Sequence, residues 1–194
     1  MIEIKSNFSP GNPNPTERRL AYFSHDGRYR FLLQITWDCA LPLCQFVGLN
    51  PSTADEMTDD NTVRRCKQFA KDWGYGGLLM TNIFAIRSTD PKAIYKERDP
   101  VGAENNHYLK YASSVAAITV LAWGNHGTHN QRGVKVFHLL DSIKPDSMQC
   151  LGLTKSLHPS HPLYLAADTK LIPFKEAQRA AISERKEGIE NLKG

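Results

Sequence analysis

Apolar positions along the chain recur in two rhythms. Residues 19–24 and 29–37 alternate apolar with polar side chains and flank His25-Asp26-Gly27-Arg28. An Asp-Gly pair between alternating segments predicts a β-hairpin. After Pro42 the texture changes. Segments 43–49, 78–84, 115–123 and 148–153 are short and almost continuously apolar, as expected of strands covered on both faces. Helical spacing lies between them. The stretch 62–73 places Val63, Cys66, Phe69 and Ala70 on one face behind a cap at Asp60 or Asn61, and Gly74-Tyr75-Gly76-Gly77 stops it. Segments 101–113 and 131–143 supply two more helices, and the charged stretch 174–192 a last one. Residues 1–17, rich in Pro, Asn and Gly, read as an irregular arm.

Strands that alternate with helices imply right-handed crossovers and a parallel sheet. The expected fold is α/β: a three-layer α/β/α sandwich with a central, mainly parallel four-stranded sheet, preceded by an N-terminal β-hairpin. No repeat or linker divides residues 18–194, which form one domain. In such sheets ligands sit outside the carboxyl ends of the strands. Four segments should therefore converge: 50–60, 82–90, 124–130 and 154–164.

Composition narrows the classes. The 194 residues are 41% hydrophobic and 23% charged, as in globular proteins. No stretch approaches the roughly 20 apolar residues of a membrane span, and the first residues lack a signal-peptide core. The expected compartment is the cytoplasm, with no membrane partner. Cys39, Cys44, Cys66 and Cys150 lie in apolar segments and read as buried free thiols. Cys39 and Cys44 have no second pair to complete a zinc site, so neither metal nor cofactor is expected. The net charge of +4 is compatible with a polyanionic partner.

Each convergent segment has a bland and a chemical reading. Gly48-Leu49-Asn50-Pro51-Ser52 is either a tight turn or a polar side chain presented at a strand end. Asn82 sits inside an apolar strand, where a buried amide needs a partner. That partner is structural, or it is the O4/N3–H edge of a uracil-type ring. Trp123 reads as core, and His126 and His129 as an exposed loop. His158-Pro159-Ser160-His161-Pro162-Leu163 is a stiff loop displaying imidazoles, one of which can stabilise charge on a leaving base.

In order, these segments resemble the uracil-DNA glycosylase superfamily across about residues 43–166. Gly48-Leu49-Asn50-Pro51-Ser52 is similar to its first motif in the Asn-bearing form of the mismatch-specific uracil/thymine branch. The strand ending at Asn82-Ile83-Phe84 resembles the one whose Asn reads the base. Val120-Leu121-Ala122-Trp123-Gly124 resembles the third strand, and His158-Pro159-Ser160 with Pro162-Leu163 the loop that supplies a catalytic His and a wedge. The chain also resembles, more closely, a family of bacterial and phage proteins known as a domain of unknown function, through Leu49-Asn50-Pro51-Ser52-Thr53-Ala54-Asp55 and Asp59-Asp60-Asn61-Thr62.

The glycosylase resemblance implies catalytic roles for Asn50 and His158, base contacts from Gly48, Leu49, Pro51, Ser52, Asn82, Gly124 and Ser160, and DNA contacts from Arg87, Lys155 and Leu163. An Asn at position 50 can orient water but cannot act as a general base. Ser52 leaves room for a 5-substituent, and His161 is one residue more than the loop pattern holds. Three readings stay open. One is excision of a uracil, thymine or modified base from DNA, with the target nucleotide flipped into the pocket. The second is chemistry on a free or modified nucleotide, which the acidic stretch Asp55, Glu56, Asp59 and Asp60 favours. The third is a non-catalytic nucleic-acid or partner-binding module.

Overall fold

A computed structural model describes residues 1–7, 16–53 and 59–190, with side chains to residue 186. It is a mixed α/β structure with one eight-stranded sheet in the order β1-β2-β3-β5-β4-β6-β7-β8. The strands are β1 (Ile2–Ser6), β2 (Arg18–Ser24), β3 (Arg30–Thr36), β4 (Leu43–Gly48), β5 (Gly77–Asn82), β6 (Ile118–Leu121), β7 (Met148–Cys150) and β8 (Ile172–Pro173). Four helices accompany them: α1 (Asn61–Asp72), α2 (Asn105–Val115), α3 (Arg132–Asp141) and α4 (Phe174–Glu190).

The four apolar segments form the parallel centre β5-β4-β6-β7. The sheet does not stop at four strands. The hairpin β2–β3, turned at Asp26-Gly27 with Gly27 at φ +68°, pairs antiparallel with β5 through Leu33–Met80 and its neighbours. It extends the sheet instead of standing before it. Ile2–Ser6, within the segment expected to be irregular, adds β1 at the edge, mostly exposed. The backbone ladder with β2 holds it there, with Lys5 over the Phe23 ring, a pairing that composition does not signal. Of the expected arm, 8–15 lie outside the described residues.

Alternation along the central strands sends their side chains to two cores. Cys44, Phe46, Leu78 and Met80 face α1, whose Val63, Cys66, Phe69 and Ala70 are all buried. Val47 and Leu121 pack with Leu109 of α2 and with Val136 and Leu140 of α3. The chain passes from β4 to β5 on one side and from β5 to β6 across the other, so the crevice between β4 and β6 is the switch point where such sheets bind ligands.

The segment expected as strand 115–123 is shorter at its start, because Ala112 and Ala116 pack one helical turn apart against Leu32 and Leu79 and α2 runs on to Val115. That helix begins at Asn105, later than residue 101, since Gly102 takes a positive φ under the Tyr29 ring. Cys39 is exposed in the β3–β4 turn, whereas Cys44, Cys66 and Cys150 are buried. No helix among the described residues is long and apolar enough to cross a membrane.

Candidate functional site

A cavity of about 480 Å³ opens at the carboxyl ends of the parallel strands, within the usual size range of small-molecule sites. All four expected segments supply its wall. Gly48 to Ser52 and Asp60 come from the β4–α1 connection, and Asn82, Ser88 and Thr89 follow β5. Trp123 to His126 follow β6, and Thr154, His161, Leu163 and Tyr164 follow β7.

Asn82 is the most telling member. It ends β5, is 3% exposed and lines the cavity. Its backbone carbonyl is engaged: Asn105 Nδ2 donates to it at 3.0 Å, and to that of Ile83 at 3.1 Å. Among the described residues its carboxamide has no hydrogen-bond partner, contrary to the structural partner one expects of a buried amide. Gly48 explains how the amide fits. A Cβ on Gly48 would stand 2.7 Å from Asn82 Oδ1, so the bare backbone of β4 leaves the space that this side chain fills.

Asn50 is held differently. Its Nδ2 donates to Ser88 O at 2.9 Å and to Pro51 O at 3.3 Å, which leaves Oδ1 as the acceptor. Ser52 Oγ donates to Asp60 Oδ2 at 2.7 Å, while Asp60 Oδ1 caps α1 by accepting from Val63 N at 2.8 Å. The neighbouring Asp59 pairs with Arg19 and Lys67 and ties α1 to β2. Two of the four carboxylates thus have structural work; Asp55 and Glu56 lie outside the described residues. Among the described residues no cluster fit to hold a metal occurs.

Of the two imidazoles in the loop after β7, that of His161 lines the cavity, as does His126 after β6; His158 is not part of the wall. His158 sits in a small antiparallel return against 152–154, where its N–H and carbonyl bond to Thr154. This return, bridged at Leu153–Pro159 and linked to Gly124 N through Pro159 O at 2.8 Å, turns the second His-Pro pair of the loop toward the cavity. His161 Nδ1 accepts from Leu163 N, so the neutral ring carries its proton on Nε2. Burial lowers the pKa of both histidines, with Asp60 opposing it at His161.

Three other expected contacts lie outside the wall. Ser160 is buried behind it, its N–H bonded to Gly152 O. Arg87 donates to Gly27 O at 3.1 Å, spans to Thr53 O and covers the Phe23 ring, holding the hairpin turn to the loop after β4. Lys155 is exposed, and its carbonyl accepts from Arg185. Leu163 is on the rim, 42% exposed, beside Tyr164 at 85%.

Sequence reasoning missed Arg30, the buried first residue of β3, together with Thr62, Val63 and Met80 in the wall. Their contribution depends on how β3 and α1 lie against β5. The doubled His-Pro pattern at 158–162 was a visible sign that His161 competes with His158. Trp123 is core as expected: its indole is clasped between Gly127 and Gly133, where any Cβ would stand 2.3 and 2.8 Å from the ring. His126, on the cavity side of the loop after β6, shares a 2.8 Å hydrogen bond with Tyr95 OH.

Fold and site define a mixed α/β protein with a cavity of mixed polar and apolar lining at the switch point of its parallel strands. Residues 30–163 match the model of the family described as protein of unknown function (DUF1643), and the chain belongs to that family. No curated protein and no solved structure matches the chain.

Proposed function

We propose that the cavity binds a uracil-type nucleobase and that the protein hydrolyses the N-glycosidic bond holding it, as the resemblance to uracil-DNA glycosylases implies. The carrying observation is the carboxamide of Asn82, a residue 3% exposed, which has no hydrogen-bond partner among the described residues. The amide lines the cavity, where a base edge that offers one donor and one acceptor can pair with both of its polar atoms. The proposal includes a three-layer arrangement about β5-β4-β6-β7, which helices on both faces support.

In this reading Asn50 Oδ1 positions a water, and His161, not His158, donates from Nε2 to the departing base. As the C–N bond breaks its electrons go to the base, where that donor stabilises them; the water oxygen bonds to the sugar carbon, and the proton it releases passes through solvent to the departed base anion. Removing one such donor costs roughly 10²- to 10³-fold in rate. A second reading, chemistry on a free nucleotide, is favoured by the cavity's volume of about 480 Å³, that of a small-molecule site.

The test is alkaline strand cleavage of oligonucleotides carrying uracil, thymine, hypoxanthine or 5-hydroxymethyluracil, single-stranded and mismatched. Excision that falls at least about 100-fold in His161→Gln and at least about fivefold in Asn82→Ala, but little in His158→Gln, supports the proposal. Absence of excision at enzyme excess, with free uridine nucleotides bound at the same cavity, moves the assignment to the second reading. Excision that depends on His158 and not His161 refutes the assigned donor.

A further inference from the structure

Arg132 opens α3 and is 6% exposed. Its Nε donates to Ile83 O at 2.7 Å and its Nη2 to Asn106 Oδ1 at 2.7 Å. Both acceptors are neutral, and among the described residues no carboxylate forms an ion pair with it. Asp99 is near, but its Oδ1 already accepts from Val101 N and Gly102 N, each at 3.1 Å. A buried cation without a matching anion is an unfavourable arrangement. Burial lowers the pKa of Arg132 to about 10, with Asp99 opposing. Nη1 has no partner among the described residues. Arg132 lines a second, more open cavity of about 550 Å³, whose wall holds the exposed cations of Arg98 and Lys135 and one exposed carboxylate residue, Asp99.

We propose that this second cavity is an anion site for a phosphate group, with Nη1 of the largely buried Arg132 as its inner donor and Arg98 and Lys135 as ligands at the rim. A tetrahedral anion offers several strong acceptors, enough for three cationic donors approaching from different sides, and the guanidinium fork suits it. The site does not depend on what the first cavity binds. It is nevertheless mechanically joined to it, because the same Arg132 side chain holds the carbonyl of Ile83, next to Asn82. The phosphate can be a free anion or part of a nucleic-acid backbone, two sources of one chemistry.

The full-length protein is titrated with sodium phosphate at constant ionic strength, against sodium chloride, and followed by amide and arginine side-chain NMR. A saturable, phosphate-specific response is expected. The rim variant Arg98→Glu/Lys135→Glu, altered only at exposed positions, should keep its fold and weaken phosphate binding by at least about tenfold. Arg132→Lys should weaken it similarly; if that variant does not fold, the rim variant carries the test. A parallel titration with a uracil-free single-stranded oligonucleotide separates the sources. Binding weakened by the rim variant and competed by phosphate identifies a backbone phosphate, and unaffected oligonucleotide binding identifies a free anion. No saturable phosphate response, or one that the rim variant retains in full, overturns the proposal.

Discussion

Replacing Gly48 with alanine probes the link between the β4 backbone and the amide proposed to read the base. The new Cβ stands 2.7 Å from Asn82 Oδ1 and 3.2 Å from Met80 Cε. Gly48 is not among the residues with positive φ, so the effect is contact and not backbone strain. The Asn82 side chain is the movable party, having no hydrogen bond to hold it. Turning it off its rotamer costs about 0.5–1.5 kcal/mol, and each kcal/mol lowers Tm by roughly 2–4 °C in a chain of this size. The site should lose far more. Two hydrogen bonds to the base, at about 0.5–1.5 kcal/mol each, correspond to a fall of about 5- to 150-fold in affinity or excision. Thermal unfolding and the oligonucleotide assay on Gly48→Ala, Asn82→Ala and the double variant separate the two effects. If Gly48→Ala acts through Asn82, it should add almost nothing in the Asn82→Ala background. A Gly48→Ala protein with wild-type excision and base selectivity would refute the reasoning, as would full additivity in the double variant.

Acid should weaken the fold through the loop after β7. Burial lowers the folded-state pKa of His158 and His161, so the unfolded chain takes up their protons first. Stability should be highest above pH of about 6.5, fall as pH drops through that value and level off below the folded-state pKa values. Thermal unfolding from pH 7.5 to 5 should show this slope reduced in His158→Gln/His161→Gln; an unchanged slope assigns it to other groups. Asp60→Ala removes the α1 cap and the Ser52 partner, at about 1 kcal/mol and roughly 2–4 °C in Tm. Asp60→Asn, an equally good cap, should stay near wild type, and equal losses in both variants would count against the capping role. Under native conditions a thiol reagent should modify Cys39 rapidly and the other three cysteines only on unfolding. Burial raises Cys150 to about 11 and pushes Cys44 and Cys66 well above the ordinary thiol value. A fast phase that survives Cys39→Ser would contradict that burial.

The sequence by itself determined the repeating unit. Apolar runs such as Leu43 to Gly48 and Gly77 to Asn82, with amphipathic α1 between them, carry a periodicity that sterics and burial read locally. Because parallel crossovers have one hand, the same pattern placed four loop segments at one end of the sheet, and all four line the cavity. Asn50 and Asn82 were legible there for that reason. The extent of the sheet was not, since β1 and the β3–β5 pairing are joined by backbone hydrogen bonds that leave no mark on side-chain composition. Nor was the choice between two imidazoles three residues apart. Which of His158 and His161 faces the cavity depends on the return of 158–160 against 152–154 and on the bond from Gly124 N to Pro159 O. Arg30 and Arg132 reached their cavities in the same way, through packing between segments distant in the chain. Local periodicity states which side chains leave the solvent, but only the assembled sheet decides which of them meet.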